Sequence, residues 1–267
     1  MGERLKGKVA IITGGNSGIG EASGHLFAKE GAKVILMARR EKQGQQVAED
    51  IRKEGGTADF IACDVEDTDG INRAVEQAVG LHNRIDILFN NAGGGSRGRF
   101  ADETIEEFSR VVRVNLIGTF AFSKAVWPHL IAAGGGVVVN MSSLAAQRGF
   151  SPRMLNEFGA PSAAYFSSKS AIEGLTRHMA GVGGEHKIRI NCIRPGQIMT
   201  PGATRGTLSD PDGGHHAFEA MFDWAQITQG PGYPEDVANL ALFLSCDESR
   251  FISGEIINVD GGVAAKL

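Results

Sequence analysis

Short runs of apolar, mostly β-branched residues alternate along the chain with longer stretches whose apolar positions recur every three or four residues. The short runs are Val9–Thr13, Val34–Ala38, Asp59–Cys63, Ile85–Asn90, Val137–Met141, Ile188–Ile193 and Ile256–Val259. They are close to continuously apolar rather than alternating, the pattern of parallel strands covered on both faces. The longer stretches predict helices over 18–30, 41–54, 68–80, 104–133 and 163–184, with a last one over 234–245; the stretch 104–133 reads as two helices. Regular alternation of strand and helix predicts an α/β fold, a Rossmann-type doubly wound parallel sheet of about seven strands with helices on both faces. No repeat or linker-like stretch interrupts residues 1–267, which read as a single domain.

Residues 200–230 break this rhythm. They contain Pro201-Gly202, Asp210-Pro211-Asp212-Gly213-Gly214 and the adjacent His215 and His216. Connections this long are usually functional. Phe218, Met221, Phe222 and Trp224 give the segment an apolar face, so it is expected to act as a substrate lid.

Composition narrows the function classes. Net charge is −4, with 27 basic and 31 acidic residues, which is no footprint for nucleic acid. No apolar stretch approaches the ~18 residues of a membrane span. The start, Met1-Gly2-Glu3-Arg4-Leu5-Lys6, has no signal-like apolar core. Three dispersed cysteines, Cys63, Cys192 and Cys246, fit a reduced, cytoplasmic protein rather than a disulfide scaffold. The seven histidines form no array with metal-ligand spacing, so no metal is expected. The anomaly is glycine, 37 of 267 residues, roughly twice the usual ~7%.

Many of the glycines mark one kind of site. The first strand runs into Thr13-Gly14-Gly15-Asn16-Ser17-Gly18-Ile19-Gly20 and then a helix. Glycine lets backbone approach a ligand closely, and free amides at a helix N-terminus favour an anion. A strand, a glycine-rich turn and a helix in that order predict a dinucleotide pyrophosphate site. Its spacing, G-x3-G-x-G, is not the commoner G-x-G-x-x-G. Other glycine groups, Gly55-Gly56, Gly134-Gly135-Gly136 and Gly183-Gly184, fall where helices should stop, the usual place for a left-handed cap.

The second strand candidate ends Ala38-Arg39-Arg40. An acidic residue there would hold the ribose hydroxyls of NAD. Two guanidinium groups suit a 2′-phosphate instead, so NADP(H) is expected in preference to NAD(H). Cys63-Asp64-Val65 places the Asp64 carboxylate where an adenine amino group could lie, and equally where it could cap a helix. At the other end of the cofactor, Tyr165 and Lys169 stand at i and i+4 on a predicted helix and share one face. A phenol has a pKa of about 10; acid–base work near neutrality needs that lowered, and a neighbouring ammonium acts in that direction.

With these motifs in order, the sequence resembles the short-chain dehydrogenase/reductase family over essentially its whole length. The resemblance is carried by Thr13-Gly14…Gly18-Ile19-Gly20, Cys63-Asp64-Val65, Asn90-Asn91-Ala92-Gly93, Val114-Asn115 and Ser142-Ser143. Tyr165…Lys169, Arg194-Pro195-Gly196…Thr200, Gly232-Tyr233-Pro234-Glu235-Asp236-Val237-Ala238 and Val259-Asp260-Gly261-Gly262 continue it. It implies a nicotinamide-dependent oxidoreductase acting on a small carbonyl or alcohol. Tyr165 would be the general acid/base, Ser143 would bond the substrate oxygen, Lys169 would bind the nicotinamide ribose and acidify Tyr165, and Asn115 would hold a relay water. Cofactor contacts would come from Gly14, Asn16, Ser17, Gly18, Ile19 and Gly20, from Arg39 and Arg40, and from Asp64 and Val65. Asn91, Ala92 and Gly93 would flank the adenosine, with Pro195, Gly196, Ile198 and Thr200 at the nicotinamide. The resemblance further implies a homotetramer or homodimer. The Tyr–Lys interval disfavours the family's enoyl reductases, whose spacing is wider. The competing class is a non-catalytic NADP-binding sensor or scaffold of the same fold, which would not need Asn115, Ser143, Tyr165 and Lys169 together.

Two stretches depart from the family pattern. Ser143 and Tyr165 are 22 positions apart, where about a dozen is usual, and the excess falls in 147–161, which contains Phe150, Met154, Leu155 and Phe158. Such an insertion either shapes a pocket for a bulky or cyclic ligand or decorates a subunit interface. The second departure is the basic, glycine-rich stretch Asn90–Arg99 near the active-site end, which either reaches an acidic substrate or, the favoured reading, is a solvated loop.

Overall fold

The computed structural model describes residues 2–95, 100–149, 151–152, 162–201 and 226–265. The strands are β1 (Val9–Thr13), β2 (Lys33–Ala38), β3 (Thr57–Ala62), β4 (Ile87–Asn90), β5 (Gly136–Met141), β6 (Ile188–Pro195) and β7 (Ile256–Val259). The helices among the described residues are α1 (Gly18–Lys29), α2 (Glu41–Lys53), α3 (Thr68–His82), α4 (Ile105–Val112), α5 (Gly118–Ala132), α6 (Ala163–Gly183) and α7 (Pro234–Ser245). The strands form one parallel sheet in the order β3-β2-β1-β4-β5-β6-β7. This is the expected Rossmann-type α/β fold.

The near-continuous apolar runs are explained by two cores, one on each sheet face. Alternate residues of each strand point to opposite sides. Ala10, Ile12, Val34, Leu36, Ile87, Phe89, Val137 and Val139 pack against Phe27 of α1, Val47 and Ile51 of α2, and Val237, Ala241 and Leu242 of α7. Val9, Ile11, Ile35, Met37, Leu88 and Val138 pack against Ile71 and Val75 of α3, Phe122, Val126 and Leu130 of α5, and Met179 of α6. Each fully buried side chain of this size contributes about 1.5–3 kcal/mol.

Strand order places the site. From β1 the chain winds outward through β2 to β3, then returns to the other side of β1 with β4 and winds outward again. The connections after β1 and β4 therefore leave in opposite directions at the carboxyl ends of adjacent strands, opening the crevice in which such sheets bind ligands.

Several boundaries differ from expectation. Strand β3 runs Thr57–Ala62 rather than Asp59–Cys63; as an edge strand it is half-exposed, so its apolar run understates it. Strand β4 starts at Ile87 rather than Ile85. The Asp86 carboxylate accepts from Val9 N at 2.9 Å and from Arg84 Nε and Nη2 at 2.9 and 2.6 Å, so this end is clamped by side chains. Residues 105–132 form one continuous rod, in which α4 passes into α5 through a π-helical turn, Arg113–Ile117. Gly55 (φ 88°) and Gly134 (φ 86°) take left-handed positions as expected. Gly183-Gly184 does not: a 3₁₀ turn extends the helix to His186, and Lys187 takes the left-handed conformation at φ 56°. Among the described residues no helix is long and apolar enough to cross a membrane.

Candidate active site

The glycine-rich turn lies at the carboxyl end of β1. Gly14 and Gly18 have φ of 66° and 57°, left-handed values that favour glycine. A Cβ on Gly20 would fall 2.3 Å from Gly14 O and 2.6 Å from Asn91 Nδ2, so the first turn of α1 rests directly on the loop. Asn91 Nδ2 donates to Thr13 O at 3.0 Å, and Ala92 N donates to Thr13 Oγ1 at 2.9 Å. The post-β4 segment is thereby tied to the end of β1, where the crevice opens.

Ser17 occupies the N-cap of α1 but makes no capping hydrogen bond. Its hydroxyl instead accepts from Arg40 Nη2 at 3.0 Å. With its amide oriented as the hydrogen-bond pattern requires, Asn16 Oδ1 accepts from Arg40 Nε and Nη2 at 2.9 and 3.1 Å. Arg40 is thus held over the turn by two neutral groups. Arg39 is mostly exposed, with Nη1 4.0 Å from Asp64 Oδ2. Asp64 does not cap α3: that is done by Asp67, which accepts from Gly70 N, while Asp64 Oδ1 accepts from Glu66 N at 3.1 Å. Val65 lies against Gly118 at the start of α5. Uncapped first-turn amides, close backbone approach and a fixed guanidinium together form a cradle that fits a dinucleotide pyrophosphate and adenosine.

The reactive end is built by β5, α6 and the π-helical turn. Ser162 caps α6, accepting from Tyr165 N at 3.2 Å. Tyr165 and Lys169 then share a face, with Lys169 Nζ 5.7 Å from the Tyr165 ring centroid. Lys169 Nζ donates to Met141 O, the last residue of β5, at 2.9 Å. Two residues on, Ser143 stands beside the Tyr165 side chain, and its hydroxyl accepts from Ala145 N at 3.3 Å. Tyr165 is half-buried; burial pushes its pKa up, and the neighbouring Ser143 hydroxyl opposes this. Burial lowers Lys169 to about 8, which leaves it mostly an ammonium at neutral pH.

Asn115 is fully buried within the π-helical turn, a feature frequent at functional sites. Its Nδ2 donates to Gly94 O at 2.8 Å and Ser168 Oγ at 2.9 Å, and its Oδ1 accepts from Gly94 N at 2.9 Å. A Cβ on Gly93 would be 3.2 Å from both Asn115 Oδ1 and Lys169 Nζ. Asn115 therefore fixes the Gly93-Gly94 backbone beside the ammonium.

Pro195 ends β6, and Gly196 N donates to Val259 O at 2.8 Å. A Cβ on Gly196 would meet Asp260 Cα at 2.7 Å. Ile198 is buried and bridges to Gly232, while the Thr200 side chain meets Gly18. Both feet of 200–230 are therefore anchored: Thr200 lies on the glycine-rich turn, and Ile227 N and Thr228 N each donate to Gly261 O at 2.8 Å. The aromatic face of this segment (Phe218, Phe222, Trp224, with Met221), its histidines, and Phe150, Met154, Leu155 and Phe158 of the insertion lie outside the described residues.

The structure brings Asn115, Ser143, Tyr165 and Lys169 together and sets the cofactor candidates along the crevice from Arg40 to Ile198. Sequence reasoning missed Ser168, the Met141 carbonyl and a buried Glu173–Arg194 pair behind them. Glu173 follows Tyr165 and Lys169 at i+8 and i+4, and that spacing is the signal by which it could have been found.

Comparison with known proteins finds relatives along almost the whole chain. The family model described as "Enoyl-(Acyl carrier protein) reductase" matches residues 14–264. Secoisolariciresinol dehydrogenase of Forsythia intermedia is 37% identical over 98% of this chain and 91% of its own. The chain belongs to the short-chain dehydrogenase/reductase family. The 7alpha-hydroxysteroid dehydrogenase of Clostridium sardiniense is 35% identical over 98% of this chain and 95% of its own. A structure described as a putative short-chain dehydrogenase/reductase from Burkholderia xenovorans superposes with a TM-score of 0.91 at 31% identity, covering 99% of each chain. The protein is accordingly a nicotinamide-dependent oxidoreductase of small molecules.

Proposed function

We propose that this protein interconverts a ketone and a secondary alcohol, with Tyr165 as general acid/base. The observation that carries this is the cluster itself: Lys169 Nζ, buried, tied to Met141 O and 5.7 Å from the Tyr165 ring, with Ser143 beside the same tyrosine. A bound nicotinamide supplies the hydride chemistry. In reduction, Tyr165 gives its proton to the carbonyl oxygen, and Ser143 bonds the same oxygen and orients it. Burial alone holds the phenol too weakly acidic for work near neutrality; Ser143 and the Lys169 ammonium offset that. Lys169 is also placed to reach the ribose, and Asn115 keeps Gly93-Gly94 clear beside it. A sensor or scaffold would have no use for a buried lysine set beside a tyrosine at this distance.

The preferred cofactor in this proposal is NADP(H), because Arg40 is fixed over the turn and no acidic residue stands at Ala38. The substrate is a bulky, cyclic secondary alcohol or its ketone; a relative named for a hydroxysteroid and the apolar insertion 147–161 favour this. The lid role expected of 200–230 belongs to this proposal; of that segment the structure describes only the two anchored ends, at Thr200 and at Ile227 and Thr228. Exposed Ile105 and Phe120 on the α4–α5 rod and Val182 on α6 favour assembly into a homodimer or homotetramer, which light scattering checks. The deciding experiment is a panel of cyclic and acyclic ketones and alcohols followed by nicotinamide absorbance with NADPH, NADH, NADP and NAD. Turnover of cyclic ketones with NADPH is expected; no turnover with any member refutes the proposal.

A further inference from the structure

We infer that the buried Glu173–Arg194 ion pair is a positioning device for the reaction, fixing the strand end that presents Ser143 and holds Lys169. This rests on the ketone–alcohol function proposed above.

Arg194 is almost fully engaged. Its Nε and Nη2 form a fork on the two Glu173 carboxylate oxygens at 2.8 and 2.7 Å, and its Nη1 donates to Gln147 Oε1 at 3.0 Å and Asn258 Oδ1 at 2.9 Å. Glu173 Oε1 also accepts from the Ser142 hydroxyl at 2.8 Å, with Lys169 O 3.2 Å from the same hydroxyl. Ser142 lies between Met141, whose carbonyl receives Lys169 Nζ, and Ser143, which stands beside Tyr165. One ion pair thus ties together the end of β5, Gln147 just beyond it, α6 one turn after Lys169, the last turn-facing residue of β6 before Pro195-Gly196, and β7.

Both side chains are more than nine-tenths buried. Replacing a buried ion pair by apolar residues is often neutral or favourable for stability, so stability does not account for this arrangement. Fork geometry fixes distance and angle, and displacement by about 1 Å at a reacting group can cost about 100-fold in rate. The pair acts through Ser142, and so on the spacing of Ser143, Tyr165 and Lys169, without touching substrate.

The test is the double variant Glu173→Met with Arg194→Met, which removes both charges of the pair together and leaves neither unpartnered. It is expected to keep a near-native melting temperature. Amides of 142–147 should exchange with deuterium at least about tenfold faster, and kcat should fall about 10- to 100-fold while cofactor KM stays within about threefold. Native exchange at 142–147 overturns the inference whatever the turnover, and so does native kcat in a folded variant. If the parent protein turns over no ketone or alcohol, the proposed function fails, and the exchange measurement alone decides the positioning claim. If the double variant does not fold, Ser142→Ala, which removes only the hydroxyl link, decides by the same exchange and kcat criteria.

Discussion

Replacing Arg40 by alanine separates the two arginines that follow β2. The Arg40 guanidinium is held by Asn16 and Ser17 through contacts of 2.9, 3.1 and 3.0 Å. Neither partner is anionic, so these bonds orient the charge without neutralising it. Arg39 is mostly exposed and lies 4.0 Å from the Asp64 carboxylate, so its charge is partly spent and screened. A charge-assisted hydrogen bond to phosphate contributes about 1.5–3 kcal/mol, or about 10- to 100-fold in affinity at roughly 1.4 kcal/mol per decade. Arg40→Ala should therefore raise the Kd of NADPH about 10- to 100-fold and that of NADH by less than about threefold. Arg39→Ala should cost at most about 1 kcal/mol, the scale of an exposed pair. Fluorescence titration of both variants with both cofactors at one ionic strength measures this. Equal weakening of NADPH and NADH by Arg40→Ala, or a larger effect at Arg39, would refute the reasoning.

Three further outcomes follow from the geometry. Gly20→Ala should weaken cofactor binding at least about tenfold and lower thermal stability, because its Cβ would sit 2.3 Å from Gly14 O and overpacking of about 1–3 kcal/mol exceeds the helix-propensity gain of about 1 kcal/mol; titration and a melting curve check both. Burial lowers Lys169 from 10.5 to about 8, so between those values the unfolded chain binds more protons and stability rises with pH. Relative to Lys169→Met, the parent should gain up to roughly 3 kcal/mol across that window, at about 1.4 kcal/mol per unit; a pH-independent difference in urea unfolding contradicts this. Met154→Ala with Phe158→Ala should shift preference from bulky to small ketones, and unchanged kcat/KM ratios would exclude the insertion from the pocket.

How far the sequence could be read depended on whether a feature was local. Strand and helix periods are local, and β1, β7 and α7 match their expected ranges throughout. Tyr165 and Lys169 were legible because one helical turn brings them together, and the glycine-rich turn because its φ values demand glycine. The π-helical turn at Asn115 left no mark in the apolar period, since its extra residue is absorbed within a rod that stays helical on both sides. The fate of Ser17 was hidden because the partner that diverts its hydroxyl from capping, Arg40, is 23 positions away. Glu173 and Arg194 looked like ordinary polar residues because their pairing requires α6 to pack on β6.

The central claim, that Tyr165 moves the proton, is tested most directly by Tyr165→Phe, which removes one hydroxyl from a half-buried ring. With any ketone that the parent reduces, kcat should fall at least about 100-fold, the scale of a lost general acid, while the Kd of NADPH stays within about twofold. Turnover near that of the parent, with cofactor binding intact, would contradict the account.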